Sequence, residues 1–385
     1  MTPSARVAAA IDILDQINDG AAAEQALTRW ARASRFAGSK DRAAVRDHVF
    51  DVLRHWRSAA AYGGGMSGRA RMIGRLRDAG ADLDALFDGN RHSPDPLTDA
   101  ERTAGAAPIE RADDLDLPDW VLARFDESLG PAADSAAQAL KTRAPVTLRV
   151  NLAKATVAEA AALLTRDGVE TRVNPRAQTA LTVRAGERKV RGAKAYMSGL
   201  VELQDAASQA AMAHVTGQGR ILDYCAGGGG KSLILAAAGW NVTAHDASPA
   251  RMRDLPARAE RGGHNIRISE TLALDDLEPF DAVLCDAPCS GAGTWRRTPE
   301  AKWRLTPERL SELTDLQGAI LDAASGHVAA GGALYYATCS VLLEENAAQV
   351  SAFLARNPDW RCDEDWHWPI DAWGDGFYLA RLLRA

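Results

Sequence analysis

The second half of the chain alternates regularly between short β-rich runs and segments with helical spacing, starting at about residue 200. Five runs carry the strand pattern, and they read RILDYCA, NVTAHD, NIRISE, DAVLCDAP and GALYYATCS. Because strands separated by helices pair in parallel through right-handed crossovers, this order predicts an α/β fold with a doubly wound parallel sheet. A final run, GFYLARLLRA, could add an edge strand.

A glycine-rich turn, DYCAGGGGKS, follows the first of these strands. A phosphate-binding loop needs a glycine, four spacers and then Gly-Lys-Ser, and here the required first glycine is replaced by Cys225. The sequence therefore argues against a P-loop NTPase. Glycines at such a turn let a ligand approach the backbone, and the helix that follows favours polar groups at its N-terminus. Either a ligand-free turn or a more general nucleotide site fits this stretch.

Three later strands end in residues that can do chemistry: Asp246 in AHDASP, Asp286 with Cys289 in CDAPCSGAG, and Cys339 in YATCS. Ligands of doubly wound sheets bind at the carboxyl ends of the strands. An acid about one βα unit after a glycine turn commonly accepts hydrogen bonds from a ribose. Asp246 and the glycine turn together therefore indicate a cofactor that contains adenosine.

The first half of the chain has a different organisation. Apolar residues such as Ile11 and Leu14 recur at helical spacing, which predicts an all-α domain over residues 1–130 together with an acidic connector. The runs VTLRVNL and ALTVRA look like strands around the helix VAEAAALLTRDG, which predicts a small α+β module over residues 131–196. The catalytic domain would then occupy residues 197–385.

Composition narrows the class of protein. With 46% hydrophobic and 25% charged residues, the 385-residue chain is typical of globular proteins. It has no apolar run long enough to span a membrane, and acids interrupt the apolar pattern of its N-terminus, so we expect a cytoplasmic protein without a signal peptide. The five cysteines show no paired zinc spacing, so we expect reduced thiols and no metal. A monomer is favoured.

The run VRAGERKVRGAK concentrates positive charge within the small module. Its five basic residues are Arg184, Arg188, Lys189, Arg191 and Lys194. Such a cluster can bind the phosphate backbone of a nucleic acid. A solvated surface is the competing interpretation, and charge alone slightly favours it.

Three motifs, in this order and spacing, resemble those of the S-adenosylmethionine-dependent RNA cytosine-5 methyltransferases, of the ribosomal RNA small-subunit methyltransferase B type: DYCAGGGGKS, DAPCSGAGTWRRTPEAKW and YYATCSVLLEEN. The resemblance extends over essentially the whole chain. SKDRAAVRDHVFDVLRHWR is similar to the NusB-like helical domain of that type, and APVTLRVN to its small RNA-recognition-like module. The resemblance implies a Rossmann-like methyltransferase domain that acts on RNA, most consistently small-subunit ribosomal RNA.

The resemblance also implies roles for individual residues. Cys339 would be the nucleophile that adds to C6 of cytosine, and Cys289 would assist release of the product. Asp286 would engage the N3 side of the cytosine, while Lys231 would lie near the base and favour the thiolate. S-adenosylmethionine would be held by ten residues, namely Cys225, Ala226, Gly227, Gly228, Gly229, Gly230, Lys231, Asp246, Glu270 and Asp286. Cys225 and Cys285 are also expected to be structural packing residues.

The chain departs from the family pattern at several positions. Gly227, Gly228 and Ser232 stand where the family usually has Ala, Pro and Thr in its cofactor loop. Glu270 stands where an aspartate usually follows the third strand, and Ala206 replaces an acid near the start of the domain. None of these changes removes a reacting atom, so they bear on cofactor affinity.

Three alternatives stay open at this point. A transfer RNA could be the substrate, and the NusB-like start favours ribosomal RNA only by analogy. A catalytically weak RNA-binding factor for ribosome assembly would fit the altered loop. A DNA cytosine-5 methyltransferase would use the cysteine of the Pro-Cys motif as its nucleophile and would not need the Thr-Cys-Ser motif.

Overall fold

The computed structural model describes residues 1–384, and they divide into two compact units. The first comprises residues 1–126, 130–143 and 295–304. The second comprises residues 127–129, 144–294 and 305–384. The predicted three-domain boundaries stay a prediction.

The first unit is helical, as the spacing of its apolar residues predicts. Its first ten helices are α1 (Pro3–Asn18), α2 (Ala23–Ala33), α3 (Ser39–Arg54), α4 (Trp56–Gly63), α5 (Gly68–Asp78), α6 (Leu83–Leu86), α7 (Asp99–Thr103), α8 (Arg111–Asp114), α9 (Asp119–Leu129) and α10 (Ala133–Lys141). Apolar faces of α1, α3 and α5 form its core, in which Val7, Ile13, Val45, Val49 and Ile73 have no exposed surface. Helical periodicity places these side chains on one face of each helix.

The second unit begins with a small antiparallel sheet. Its elements are β1 (Thr147–Val150), α11 (Val157–Arg166), β2 (Glu170–Val173), β3 (Ala180–Ala185), α12 (Lys194–Met197) and β4 (Val201–Leu203), and the strand order is β2-β3-β1-β4. Leu148 pairs with Leu181 on one side and Leu203 on the other. The sequence predicts β1, α11 and β3. It misses β2 and β4, because ETRV is largely polar and VEL has only three residues.

A seven-stranded sheet follows, and its parallel part confirms the predicted doubly wound fold. The elements are α13 (Ala206–Met212), β5 (Arg220–Asp223), α14 (Gly230–Ala237), β6 (Asn241–Ala244), α15 (Leu255–Gly262), β7 (Ile266–Ile268), β8 (Phe280–Asp286), α16 (Glu300–Arg304), α17 (Pro307–Ser325), β9 (Val328–Thr338), α18 (Ala347–Arg356), β10 (Trp360–Trp368) and β11 (Phe377–Arg384). The strand order is β10-β11-β9-β8-β5-β6-β7, with β5 to β9 parallel. The chain reverses direction across the sheet between β5 and β8, so their carboxyl ends form the expected ligand crevice. Helix α16 belongs to the helical unit.

The position predicted for the last strand is wrong. GFYLARLLRA does form a strand, β11, but β11 lies between β9 and β10 and is therefore not an edge. Its nearly continuous apolar character is typical of a strand with neighbours on both sides. The edge is β10, which the sequence pattern misses because Asp363, Glu364 and Asp365 interrupt it and a register shift lies at Cys362. Charges and bulges of this kind protect an edge strand from pairing with other chains.

Among the residues that the structure describes, no helix combines the length and the apolar character needed to cross a bilayer.

Candidate functional site

The glycine turn lies between β5 and α14 at the carboxyl edge of the large sheet. Gly227 and Gly229 have positive φ values, 50° and 77°, which favour glycine over residues with a side chain. Gly229 is also the residue immediately before α14, and a Cβ atom there would collide with Leu255. The turn therefore needs glycine for backbone shape and for packing, and Gly228 and Gly230 continue it into the helix.

Asp246 lies behind this turn and supports it. Its side chain is 3% exposed. One carboxylate oxygen accepts a hydrogen bond from the backbone N–H of Gly227 at 3.0 Å, and the other accepts one from Ser248 at 2.9 Å. Arg251 forms an ion pair with the same carboxylate at 3.2 Å. Sequence reasoning places Asp246 correctly at the crevice and misses its role in holding the loop.

Glu270 follows β7, the strand that pairs with β6, and its side chain is exposed. Cys225 and Ala226 lie in the turn itself, where Ala226 N–H donates to the carbonyl of His245 at 2.8 Å. Burial raises the pKa of Cys225 and of Cys285, which favours the thiol form. Cys285 packs in the core beside the large sheet, whereas Cys225 is only partly buried.

Asp223, the last residue of β5, is a buried acid that sequence reasoning missed. Its side chain has no exposed surface, and Ser232 Oγ donates to its Oδ2 at 2.6 Å. Its other oxygen, Oδ1, is buried without a hydrogen-bond partner among the described residues. Burial raises the pKa of Asp223 to about 6. An unpaired carboxylate oxygen under the glycine turn can accept a hydrogen bond from a cationic ligand.

Lys231 and Asp286 form an ion pair across the crevice, with 2.5 Å between Lys231 Nζ and Asp286 Oδ2. Lys231 comes from the first turn of α14, and Asp286 ends β8. Burial is the largest single influence and lowers the pKa of Lys231, but the Asp286 carboxylate together with the charges of Asp223 and Cys339 raises it, so the net pKa is raised and the lysine is charged at neutral pH. The pair supplies one positive and one negative group within the same crevice.

The two motif cysteines are in contact: 3.4 Å separates Cys289 Sγ from Cys339 Sγ. Cys289 lies on the loop after β8, and Cys339 directly follows β9. The hydrogen bond from Cys289 lowers the pKa of Cys339, and the charge of Lys231 lowers it further. The same hydrogen bond, together with burial, raises the pKa of Cys289 well above its usual value. The charge of Lys231 thus favours the thiolate at Cys339, whereas the charge of Glu345 disfavours it at Cys289.

The loop that carries Cys289 is fastened at several points. Gly293 N–H donates to the carbonyl of Cys339 at 2.9 Å, and Gly376 N–H donates to the carbonyl of Gly293 at 2.9 Å. Two buried polar residues that sequence reasoning missed, Gln317 and Glu345, contact the backbone of the same loop. Only the polar character of Gln317 in an apolar helix face, and of Glu345 within the third motif, could have indicated them.

The basic run extends from the end of β3, through the 3₁₀ turn Glu187–Gly192, to the first residue of α12. Its five members are exposed, namely Arg184, Arg188, Lys189, Arg191 and Lys194. Over residues 1–384, no group of three or more His, Cys, Asp or Glu side chains is arranged to hold a metal ion.

Comparisons with known proteins give matches over most of the chain. The family model described as 16S rRNA methyltransferase RsmB/F matches residues 210–383, and the RsmF/B-like ferredoxin-like domain model matches residues 117–189. Ribosomal RNA small subunit methyltransferase B of Klebsiella pneumoniae is 34% identical over 286 residues, 69% of this chain and 66% of the relative. The protein of the same name from Vibrio cholerae is 34% identical over 257 residues, 63% of this chain and 58% of the relative. Each match thus spans less than two thirds of the relative's length.

Solved structures share the fold. The crystal structure of PH0851 matches with a TM-score of 0.75 and 22% identity, covering 99% of both chains. NSun6 from Pyrococcus horikoshii with SFG matches with a TM-score of 0.61 and 17% identity, over 69% of this chain and 98% of that one.

Proposed function

The chain belongs to the RsmB/F methyltransferase family, and we propose that it transfers a methyl group from S-adenosylmethionine to C5 of a cytosine in small-subunit ribosomal RNA. The observation that carries this proposal is the contact between Cys289 and Cys339 beside the Lys231–Asp286 pair. Cytosine C5 is a poor nucleophile, so a thiolate must first add to C6 and make C5 electron-rich. Release then needs a second group beside the attacking sulfur.

Cys339 is the sulfur suited to the addition. Its lowered pKa makes a thiolate available, and the new S–C6 bond converts the C5–C6 double bond into an enamine with excess electron density at C5. The developing negative charge spreads to the N3 and O2 side of the ring, where the charged Lys231, held in place by Asp286, can stabilise it by electrostatic attraction.

Release reverses the addition after the methyl group is in place. A base accepts the C5 proton, the electron pair of the C5–H bond restores the C5–C6 double bond, and the S–C6 bond breaks to return the Cys339 thiolate. Cys289, ionised beforehand by loss of its own proton to water, is the base that we assign to this proton. Cys289 is assigned to this step because it is the group in contact with the Cys339 sulfur. Once Cys339 is a neutral thioether, it no longer accepts a hydrogen bond as an anion, so the main cause that raises the pKa of Cys289 disappears.

S-adenosylmethionine, when bound, supplies an electrophilic methyl group. The crevice fits it by the chemistry of its residues. Gly227 to Gly230 leave open backbone at the N-terminus of α14, and Asp223 Oδ1 is a buried acceptor suited to the ammonium of the methionine part. Asp246 fixes the turn, and Glu270 lies at the end of β7, on the side of the sheet assigned to the adenosine. NSun6, which has a similar fold, was solved with SFG. Membership of a methyltransferase family also supports S-adenosylmethionine as the cofactor.

RNA binding is assigned to the small module through its exposed basic run, and to the helical unit by its resemblance to NusB-like domains. The names of the Klebsiella and Vibrio relatives support small-subunit ribosomal RNA as the substrate. The proposed chemistry needs no metal, and we expect a monomer that acts in the cytoplasm, where ribosomes are assembled.

Bisulfite sequencing of total RNA from a deletion strain and its parent tests this function. We expect one 5-methylcytosine of small-subunit ribosomal RNA to disappear, and to return when the wild-type gene is supplied but not the Cys339→Ala gene. Loss of a 5-methylcytosine in a transfer RNA would instead identify transfer RNA as the substrate. An unchanged methylation pattern would support a role as an RNA-binding assembly factor.

A further inference from the structure

Glu345 is a buried carboxylate directly behind the Cys289 loop, and it has no exposed surface. It ends a short 3₁₀ turn, Leu343–Glu345, which follows the Cys339 motif. Its Oε1 accepts a hydrogen bond from Ser290 N–H at 2.7 Å, and its Oε2 accepts one from Ser290 Oγ at 2.5 Å. Both oxygens therefore hold the residue that follows Cys289.

Gln317 holds the residue on the other side of Cys289. Its amide Nε2 donates to the carbonyl of Pro288 at 2.9 Å and to Glu345 Oε1 at 3.1 Å. Both partners can only accept, so the nitrogen of this buried amide must face them. Pro288 and Ser290 are thus fixed by a connected pair of side chains, and Cys289 is held between them.

The residue after Glu345 holds the other cysteine. Asn346 Oδ1 accepts from Thr338 Oγ1 at 2.5 Å, and Asn346 Nδ2 donates to the carbonyl of Ser340 at 3.1 Å. These two contacts flank Cys339, as the contacts of Gln317 and Glu345 flank Cys289. Tyr336 OH donates to the Glu345 carbonyl at 2.7 Å and anchors the turn to β9. Consecutive residues of one turn therefore set the separation of the two sulfurs.

A buried carboxylate is expensive unless its lone pairs are satisfied, so its placement here needs a compensating role. Three hydrogen bonds satisfy Glu345, and two of them come from the residue next to Cys289. We propose that Glu345 is a positioning residue for the release step, which acts through Ser290 to keep the Cys289 thiol against the Cys339 sulfur. This proposal deepens the proposed function and rests on it.

The test compares Glu345→Gln with wild type in single-turnover and steady-state methylation of small-subunit ribosomal RNA, and in formation of a covalent protein–RNA adduct on denaturing gels. The amide keeps the shape of the side chain but replaces one acceptor oxygen with a donor. We expect single-turnover transfer to stay near the wild-type rate, steady-state turnover to fall about tenfold, as befits the loss of a hydrogen bond to a charged group, and the adduct to accumulate.

Two further variants separate positioning from general damage. Ser290→Ala removes one donor to the carboxylate without changing a buried charge, and we expect adduct accumulation in the same direction. In a Cys289→Ala background, Glu345→Gln should add no further adduct, because Glu345 acts through Cys289. Glu312→Gln on the exposed face of α17 is the matched control, and we expect wild-type rates and no adduct.

Two results would overturn this proposal while leaving the proposed function intact. One is a Glu345→Gln enzyme with the wild-type steady-state rate and no adduct, while Cys289→Ala traps RNA. The other is a parallel fall of single-turnover and steady-state rates without adduct, which would show that Glu345 only supports the fold. If wild type methylates no RNA and Cys289→Ala traps none, the proposed function fails and this proposal falls with it.

Discussion

Lys231 Nζ lies 2.5 Å from Asp286 Oδ2, and both groups act on the pKa of the nearby Cys339 thiol in opposite directions. The hydrogen bond from Cys289 is the largest influence and lowers that pKa; the Lys231 charge also lowers it, whereas the Asp286 charge raises it. The crevice therefore balances one charge that favours the thiolate against one that disfavours it.

This balance predicts opposite effects of two substitutions. Lys231→Met should move the pH profile of Cys339 alkylation to higher pH, and Asp286→Asn should move it to lower pH, because each substitution removes one neighbouring charge. Alkylation by iodoacetamide at Cys339, followed by mass spectrometry of the peptide across pH, measures both. Shifts in the same direction would show that the substitutions act on the structure of the site and not on its charge.

Asp223 predicts a stability difference that depends on pH. Because burial raises its pKa from 3.8 to about 6, ionisation destabilises the folded state by about 3 kcal/mol. The neutral carboxyl of Asp223 makes its full contribution to stability below pH 3.8, and this contribution is lost as the pH rises through 6. Asp223→Asn keeps an acceptor for Ser232 and removes the titration. The unfolding free energy of this variant, measured with urea, should therefore increase relative to that of wild type as the pH rises from about 4 to about 7.5.

Asp315→Asn, at an exposed position of α17, is the control for this measurement and should show no such gain. A constant difference between Asp223→Asn and wild type across this pH range would contradict the prediction.

The sequence predicts the parallel sheet well because its strands are buried on both faces and therefore read as continuous apolar runs, as in the residues around Val283 and Leu334. It cannot reveal Glu345 and Gln317 as partners of the Cys289 loop. Those contacts join residues 55 and 29 positions apart, and only the folding of the chain brings them together. Asp246 shows the same limit, since its position is predictable from spacing and its two backbone hydrogen bonds are not.

The glycine turn predicts the choice of cofactor. Calorimetric titration should show binding of S-adenosylmethionine and S-adenosylhomocysteine, and none of ATP, because Cys225 replaces the glycine that a phosphate loop requires. Gly229→Ala should weaken cofactor binding, since a Cβ atom there collides with Leu255 and the backbone has a positive φ. Binding of ATP without either methionine compound would contradict the assignment.

The basic run predicts a change in salt dependence. Replacing Arg188, Lys189 and Arg191 with glutamine should weaken RNA binding and reduce the slope of log affinity against log salt by up to about two, since each phosphate contact to single-stranded RNA contributes about 0.7. Filter binding at several salt concentrations measures the slope. Neutralising Arg309, Arg361 and Arg384, which are exposed elsewhere in the same unit, is the matched control. An unchanged slope in the first variant would identify the run as an ordinary solvated surface.

The contact between the two cysteines predicts which variant traps RNA. Cys339→Ala lacks the attacking sulfur, so it should transfer no methyl group and form no adduct, while it still binds cofactor and RNA. Cys289→Ala keeps the attacking sulfur and loses the group beside it, so the S–C6 thioether should form and persist as a covalent adduct on denaturing gels. The double variant should form none, because trapping requires Cys339. The reverse pattern, with RNA trapped only by Cys339→Ala, would assign the attack to Cys289, which is the arrangement of DNA cytosine-5 methyltransferases. The charges around the pair argue against that reversal, because Lys231 lowers the pKa of Cys339, whereas Glu345 raises the pKa of Cys289.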